Sequence, residues 1–354
     1  MKTAIIINNL IACGAERLAL DEMNEMHRRG IPVSLITLRP EKTGNTFMPL
    51  CELPITARHS IHFSSVADIR AWVRLVRLLR LEKYDTVITH LWFANTIGRI
   101  AARIASVKRI LSFEHNVYDD VKSWKQFIAD RILQRLSHRI IAVSDAVRTS
   151  LIAHGINARS IVVIPNGIDL KRYRKATPAS INTGGKFSYL FAGRLIKQKA
   201  VDVLLAAFAR LDDGLLLIAG DGIDRTALEK QASELGVEER VRFLGVRDDI
   251  PALMKTAGCF VLPSRWEGMG IVLIEALASG CPVIAADFSA ARGVLKDGTT
   301  GLIVPVEDVA ALAAAMLEVA SDPLLRRRLS DAVAKDAERF SIATHIDRLL
   351  EYIV

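Results

Sequence analysis

The sequence predicts an α/β protein made of two doubly wound, Rossmann-like parallel-sheet domains in tandem. Three observations lead there. The chain has 354 residues, more than one ordinary small core accommodates. Short apolar runs without strict polar alternation recur between longer stretches of helical period, as expected of strands covered on both faces by helices. Near the middle, KATPASINTGG from Lys175 to Gly185 interrupts the pattern with small and polar residues and reads as a linker.

Taken in order, the strand-like runs of the first half are TAIIIN, PVSLITL, YDTVITH, RILSFEH, HRIIAVS and SIVVIPN. The start, MKTAIIINNLIACGAERL, has the lysine and apolar stretch of a short signal peptide. Its two asparagines and the Glu16-Arg17 pair make it a first buried strand instead. The stretch ADIRAWVRLVRLLRLEKYD has helical period, with Arg70, Arg74 and Arg77 on one face and Trp72, Leu75, Val76 and Leu79 on the other. The second half continues with FSYLFAG, GLLLIAG, VRFLG, CFVLPS and PVIAAD. The expected domains are residues 1–175 and 176–340, with a final helix over 341–354 packing back toward the first domain. Doubly wound sheets bind ligands beyond the carboxyl ends of their strands, so the expected site is a cleft between the two domains.

Composition narrows the class. About half the residues are apolar and a quarter charged, as in globular proteins. No apolar run reaches the roughly 18 residues needed to span a bilayer, and no repeat of solenoid period occurs. Cys13, Cys51, Cys259 and Cys281 form no C-x-x-C pair; Cys259 and Cys281 are expected in apolar strands, consistent with a reducing cytoplasm. The net charge of +8 divides into +12 over residues 1–175 and −4 over 176–354. A basic first half suits an anionic substrate or surface. The basic residues do not alternate with exposed aromatics, which disfavours nucleic acid as a partner. A phosphate loop of the G-x-x-x-x-G-K-[ST] type, H-E-x-x-H and D-x-D are all absent, and the first strand leads into NNLIACGAER, not G-x-G-x-x-G. No metal ligands are therefore assigned and no cofactor is expected.

Two stretches carry candidate chemistry. In SRWEGMGIVLIEALASG, a strand ends near Ser264, a loop holds Glu267, Gly268 and Gly270, and a helix begins near Ile271. Glycines let a ligand approach the backbone, and the unpaired amides of Gly270, Ile271 and Val272 at a helix start make an anion site that fits a diphosphate. Glu267 and Glu275 can flank one elongated ligand and accept hydrogen bonds from sugar hydroxyls. Equally, Glu267 can be a solvated loop residue and Glu275 a surface residue of an amphipathic helix. In YLFAGRLIKQKAVDVLLAAF, Gly193 is followed by Arg194, suited to bidentate phosphate binding, and by Lys199, a point charge.

In these motifs the chain resembles the retaining glycosyltransferases of family 4, which have the GT-B fold. The family's E-x7-E pattern matches Glu267 to Glu275, its G-R-L…K element matches Gly193 to Lys199, and P-N-G-[IV]-D matches Pro165 to Asp169. The glycine-rich first loop followed by E-R matches CGAERL. The resemblance runs nearly end to end. It implies that Arg194 and Lys199 bind the donor diphosphate with the amides of Gly270, Ile271 and Val272. Glu267 would hold the donor sugar, Glu275 the nucleotide ribose, and Gly14 would approach the donor from the other domain. His115, in SFEHN, matches a position beside the transferred sugar, although a strand-end histidine is also an ordinary hydrogen-bonded residue. RFLGV resembles the segment near the base. The family's K-G is here Lys199-Ala200, its aromatic after E-G is Met269, and its double glycine is Cys13-Gly14, so altered donor or acceptor fit is expected.

The implied function is transfer of a sugar from a nucleotide-diphosphate sugar, UDP favoured over GDP, to a lipid-linked or saccharide acceptor in surface polysaccharide or lipopolysaccharide-type synthesis. Metal would not be needed, because the cationic side chains and helix amides stabilise the leaving diphosphate. The alternatives are a nucleotide-sugar epimerase on the same fold and a non-catalytic nucleotide-sugar-binding subunit. The arginine face of the first-half helix is either solvated or laid on anionic lipid, at about 1 kcal/mol per basic residue. The expected place of work is the cytoplasm, including the inner face of the plasma membrane.

Overall fold

The computed structural model describes residues 1–11, 13–41, 46–117 and 122–353. Two compact units divide the chain: Met1–Ile168 with Phe340–Val354, and Asp169–Arg339. The division falls ahead of the Lys175–Gly185 segment. That segment is held inside the second unit: the Ala179 amide donates to Ala252 O at 3.1 Å, and Thr256 Oγ1 donates to Ala179 O at 3.0 Å.

The first unit holds β1 (Thr3–Ile7), β2 (Val33–Thr37), β3 (Arg58–Ser60), β4 (Thr86–His90), β5 (Arg109–Glu114), β6 (Arg139–Ala142) and β7 (Ile161–Val163), in the order β3-β2-β1-β4-β5-β6-β7. Every ladder is parallel, with Ile5 of β1 opposite both Leu35 and Ile88. The helices α1 (Gly14–Arg28), α2 (Ile69–Leu81), α3 (Trp92–Ile104), α4 (Trp124–Leu133) and α5 (Asp145–Ala153) supply the connections. The α2 helix shows why the pattern works. Asp68 caps it by accepting the Ala71 amide, Ala71, Leu75 and Leu79 are buried, and Arg70, Arg74 and Arg77 are exposed.

The second unit begins with α6 (Leu170–Arg174) and contains β8 (Ser188–Ala192), β9 (Leu215–Ala219), β10 (Val241–Gly245), β11 (Cys259–Leu262), β12 (Val283–Ala286) and β13 (Leu302–Val304). Their order is β10-β9-β8-β11-β12-β13, again parallel throughout. Its further helices are α7 (Val201–Phe208), α8 (Arg225–Glu234), α9 (Ile250–Thr256), α10 (Ile271–Ser279), α11 (Ala291–Val294), α12 (Val309–Ser321) and α13 (Pro323–Asp336). Cys259 lies in β11 as expected, whereas Cys281 precedes β12; both are buried free thiols. The chain then returns to the first unit as α14 (Ile342–Leu350).

Two strands were not marked by apolar runs. β3 and β13 are three residues long and lie at sheet edges; in β3, Arg-His-Ser, one neighbour and partial burial relax the demand for apolar side chains, whereas β13, Leu-Ile-Val, is apolar but short.

Candidate functional site

In the second unit the chain runs outward from β8 to β9 and β10 on one side, and from β11 to β12 and β13 on the other. The loops that leave β8 and β11 therefore start side by side at the point where the winding reverses, which is where such sheets bind ligands. Several bonds tie the two loops together. The Arg265 amide donates to Gln198 O and Gln198 Nε2 donates to Trp266 O, both at 2.9 Å. The Arg265 guanidinium donates to Lys197 O at 2.6 Å and to Asp202 Oδ2 at 2.7 Å.

This frame brings Lys199 to Glu267. The Lys199 ammonium pairs with Glu267 Oε1, which also accepts the Ser264 hydroxyl at 2.8 Å. Glu267 is a buried carboxylate and not a solvated loop residue. Arg194 stands at the same strand end with its side chain exposed. The chain after β9 packs tightly beneath: a Cβ on Gly220 would come within 1.8 Å of Gly193 O, and one on Gly222 within 2.1 Å of Leu195 O. These two glycines are what let the Gly193–Leu195 backbone lie where it does.

Where the family's K-G stands, Ala200 adopts the left-handed conformation, φ 52° and ψ 40°, and caps α7. Ala200 thus holds a backbone conformation that glycine adopts without strain, at a cost of roughly 1–2 kcal/mol.

Gly270 is the N-cap of α10, with φ 74°, and no side chain caps the helix. The amides of its first turn, Ile271 and Val272 among them, open the helix with the positive end of its dipole. Gly268 and Met269 are buried in the loop before it. Glu275 is the one charged residue of α10. It is half-buried, and its Oε1 accepts the buried Tyr173 hydroxyl at 2.5 Å. Tyr173 lies on α6, so the segment after P-N-G-I-D supplies a partner that orients the second glutamate. β10, with the RFLGV segment, forms an edge of this sheet.

In the first unit, Gly14 is the exposed first residue of the 15-residue α1, which no side chain caps. His115 directly follows β5, and its Nε2 lies 3.1 Å from His90 Nδ1 at the end of the neighbouring β4. His90 stacks on Phe113 with ring centroids 4.6 Å apart. Burial, and then the adjacent His90 imidazole, holds His115 far below the usual imidazole range, at about 3. Its predecessor Glu114 is bonded to Lys122 at 3.0 Å and to Asn95 Nδ2 at 3.1 Å, while Lys122 also bonds Asp130 at 2.8 Å and Asp130 pairs with Arg99 at 2.9 Å. Four buried charges thus fix α4 and the end of β5.

Arg194, Gly193, Lys199, Glu267, Gly268, Gly270, Ile271, Val272 and Glu275 belong to the second unit, and Gly14 and His115 to the first. The sequence reading missed Ser264, Gln198, Arg265 and Tyr173, which orient the charged groups, and Gly220 and Gly222. The G-D-G of the AGDG segment after β9 was a visible signal for the last two; the others are polar residues with no distinctive spacing.

Comparison with known proteins agrees in both halves. Residues 12–172 match the family model described as Glycosyltransferase Family 4, and residues 174–336 match the one described as Glycosyl transferases group 1. A phosphatidyl-myo-inositol mannosyltransferase of Mycobacterium leprae is 35% identical over 79% of this chain and 76% of its own. A UDP-Gal:alpha-D-GlcNAc-diphosphoundecaprenol alpha-1,3-galactosyltransferase of Escherichia coli is 27% identical over 83% of this chain and 81% of its own. Among solved structures, that of Anabaena HepE in complex with UDP and glucose superposes with a TM-score of 0.88 at 22% identity, covering 99% of both chains.

Proposed function

The chain belongs to glycosyltransferase family 4, of the GT-B fold, and from that premise we propose that it moves a hexosyl group from a UDP-sugar, with retention, to a lipid-linked or saccharide acceptor of surface-glycan synthesis. The observation that carries this reading is the joined pair of loops at the reversal point of the second sheet. It sets a cation, a carboxylate and an uncapped helix start together.

That geometry supports the following assignments in the second unit. Arg194, Lys199 and the α10 amides take the diphosphate, whose charge grows as the bond to the sugar breaks. Glu267, held by Ser264 and Lys199, takes hydroxyls of the transferred sugar. Glu275 accepts the ribose hydroxyls through the carboxylate that Tyr173 orients. From the resemblance of CGAERL and SFEHN to the family's motifs, Gly14 would leave room for the donor and His115 would meet the transferred sugar. In the reaction the bond from anomeric carbon to diphosphate oxygen breaks while the acceptor oxygen bonds the same face of that carbon. The acceptor proton passes to the leaving diphosphate, so no metal is called for. The E. coli relative, named for UDP-Gal and a diphosphoundecaprenol acceptor, favours a UDP donor and a lipid-linked acceptor. The exposed Arg70, Arg74 and Arg77 of α2 would then rest on anionic lipid; among the described residues no helix is long and apolar enough to cross a membrane.

The test is a thermal-shift panel of UDP- and GDP-sugars, followed by transfer with the stabilising donor, with and without EDTA, and NMR of the product anomer. A bound donor raises the melting temperature by mass action. Stabilisation by GDP-sugars alone, an inverted product, or activity lost to EDTA and restored by Mg2+ would each overturn the corresponding part. Isomerised donor without acceptor would identify an epimerase, and binding without transfer or hydrolysis a binding subunit.

A further inference from the structure

Behind His115 lies a chain of buried groups that the donor assignments do not use. Glu22 of α1 and His90 are fully buried, and His345 of α14 is 3% exposed. Glu22 Oε2 lies 3.1 Å from His90 Nε2, and Glu22 Oε1 lies 2.8 Å from His345 Nε2. His345 Nδ1 in turn lies 2.7 Å from Pro165 O. The series runs from a backbone carbonyl through imidazole, carboxylate and imidazole to His115.

Donor and acceptor arithmetic settles where the protons sit. Pro165 O only accepts, so His345 carries a proton on Nδ1. Burial alone would push the Glu22 carboxyl up, but the two imidazoles beside it hold it at about 2, so Glu22 is an acceptor as well. His345 Nε2 faces that acceptor at 2.8 Å. His90 stands between the Glu22 carboxylate and His115. Its proton lies on Nε2, facing Glu22, which leaves Nδ1 to accept from His115. The other charged side chains near His115, Glu114 with Lys122, Asp130 and Arg99, are bonded among themselves.

We infer that Glu22, acting through His90, is a positioning residue that fixes His115 as the neutral tautomer protonated on Nε2, with His345 holding the other oxygen of the carboxylate. This rests on reading His115 as the residue beside the transferred sugar. It gives that histidine a reason to be neutral and fixed: the sugar ring gains positive charge as the diphosphate leaves, and an imidazolium beside it would oppose that charge. An imidazole held in one tautomer also keeps one pattern, its proton given to His90 and Nδ1 left as an acceptor, with no reorganisation needed.

The experiment is 15N NMR of the histidine-labelled full chain, with the His115 signals assigned by their loss in His115→Gln. In the native protein at pH 7, His115 should show a protonated Nε2 and an unprotonated Nδ1. In Glu22→Gln and in His90→Phe, which keeps the ring against Phe113, it should lose that preference and show the Nδ1-protonated form or a mixture. A native His115 protonated on Nδ1 or on both nitrogens would overturn the inference even if neither variant folds. So would an unchanged tautomer in both folded variants. In transfer assays Glu22→Gln should lower kcat about tenfold or more and leave the KM for donor unchanged; a raised KM with normal kcat would assign Glu22 a structural role alone. If no transfer is found with any donor, the functional reading fails while the NMR result still decides the relay.

Discussion

The two units put the same kinds of side chain to opposite use. In the second, Lys199 and Glu267 pair where partial exposure remains, and Arg194 is exposed beside them. In the first, Glu22 is sealed from water with His90 at 3.1 Å and His345 at 2.8 Å. A group that must grip a ligand needs a partner that the ligand can replace. A group that must hold a proton in place needs partners that never leave. The topology supplies both: open loops at a reversal point in one sheet, and strand ends covered by α1 and α14 in the other.

The change expected to disturb this contrast most is Glu267→Gln. It keeps the shape, removes the charge facing Lys199, and should lower kcat on the order of a hundredfold while free UDP binds normally. Steady-state kinetics with calorimetry of UDP binding check this; normal kcat with weakened UDP binding would exchange the roles of Glu267 and Glu275. Arg194→Ala comes next. Loss of a charged hydrogen bond, about 1.5–3 kcal/mol, should weaken donor affinity roughly 10- to 150-fold, and near-native donor titrations would move the diphosphate elsewhere.

The sealed cluster should show itself in acid. His115 is held at about 3 against an ordinary 6.5, and Glu22 at about 2 against an ordinary 4.5. Both are depressed, so the unfolded chain takes up protons that the native one refuses. Stability is full above pH 6.5, is lost through His115 as pH falls from 6.5 toward 3, and through Glu22 from 4.5 toward 2. Each group contributes at most about 1.4 kcal/mol per pH unit. His115→Gln should flatten the decline in urea midpoint between pH 6.5 and 4.5; an unchanged slope would mean that His115 titrates like a solvated imidazole. The smallest expected effect is that of Tyr173→Phe, which removes one hydrogen bond to Glu275. At about 1 kcal/mol, free UDP should bind roughly fivefold more weakly with kcat unchanged, and equal affinity would show that Tyr173 does not orient the ribose carboxylate.

Legibility in the sequence followed how local each signal is. Among the described residues, eleven of the thirteen strands coincide with apolar runs, because burial on both faces favours apolar side chains. The edge strand Arg58–Ser60 has no such constraint. Within the candidate site, Glu267, Gly270 and Glu275 were readable because a loop, a helix start and a helix turn fix their spacing. Tyr173 and Glu275 stand 102 residues apart, and no spacing rule connects them. The Pro165–Asp169 motif was recognised, but its physical reason lies in α14: a Cβ on Gly167 would come within 2.5 Å of His345 Cβ. His115 was visible and its supporting relay was not, because Glu22, His90 and His345 meet only through the tertiary fold.

That meeting has a timetable. Glu22 and His345 are separated by 323 residues, and the whole second unit is threaded between them. A ribosome adding about 5–20 residues per second delivers His345 roughly 15 to 65 seconds after Glu22. Once Val163 has been added all seven strands of the first sheet exist, yet Glu22 on α1 still waits for the second unit to be made before His345 can stand opposite it. The first unit thus reaches its finished interior only after its neighbour has been synthesised, and vectorial synthesis itself makes the buried relay the last part of the enzyme to close.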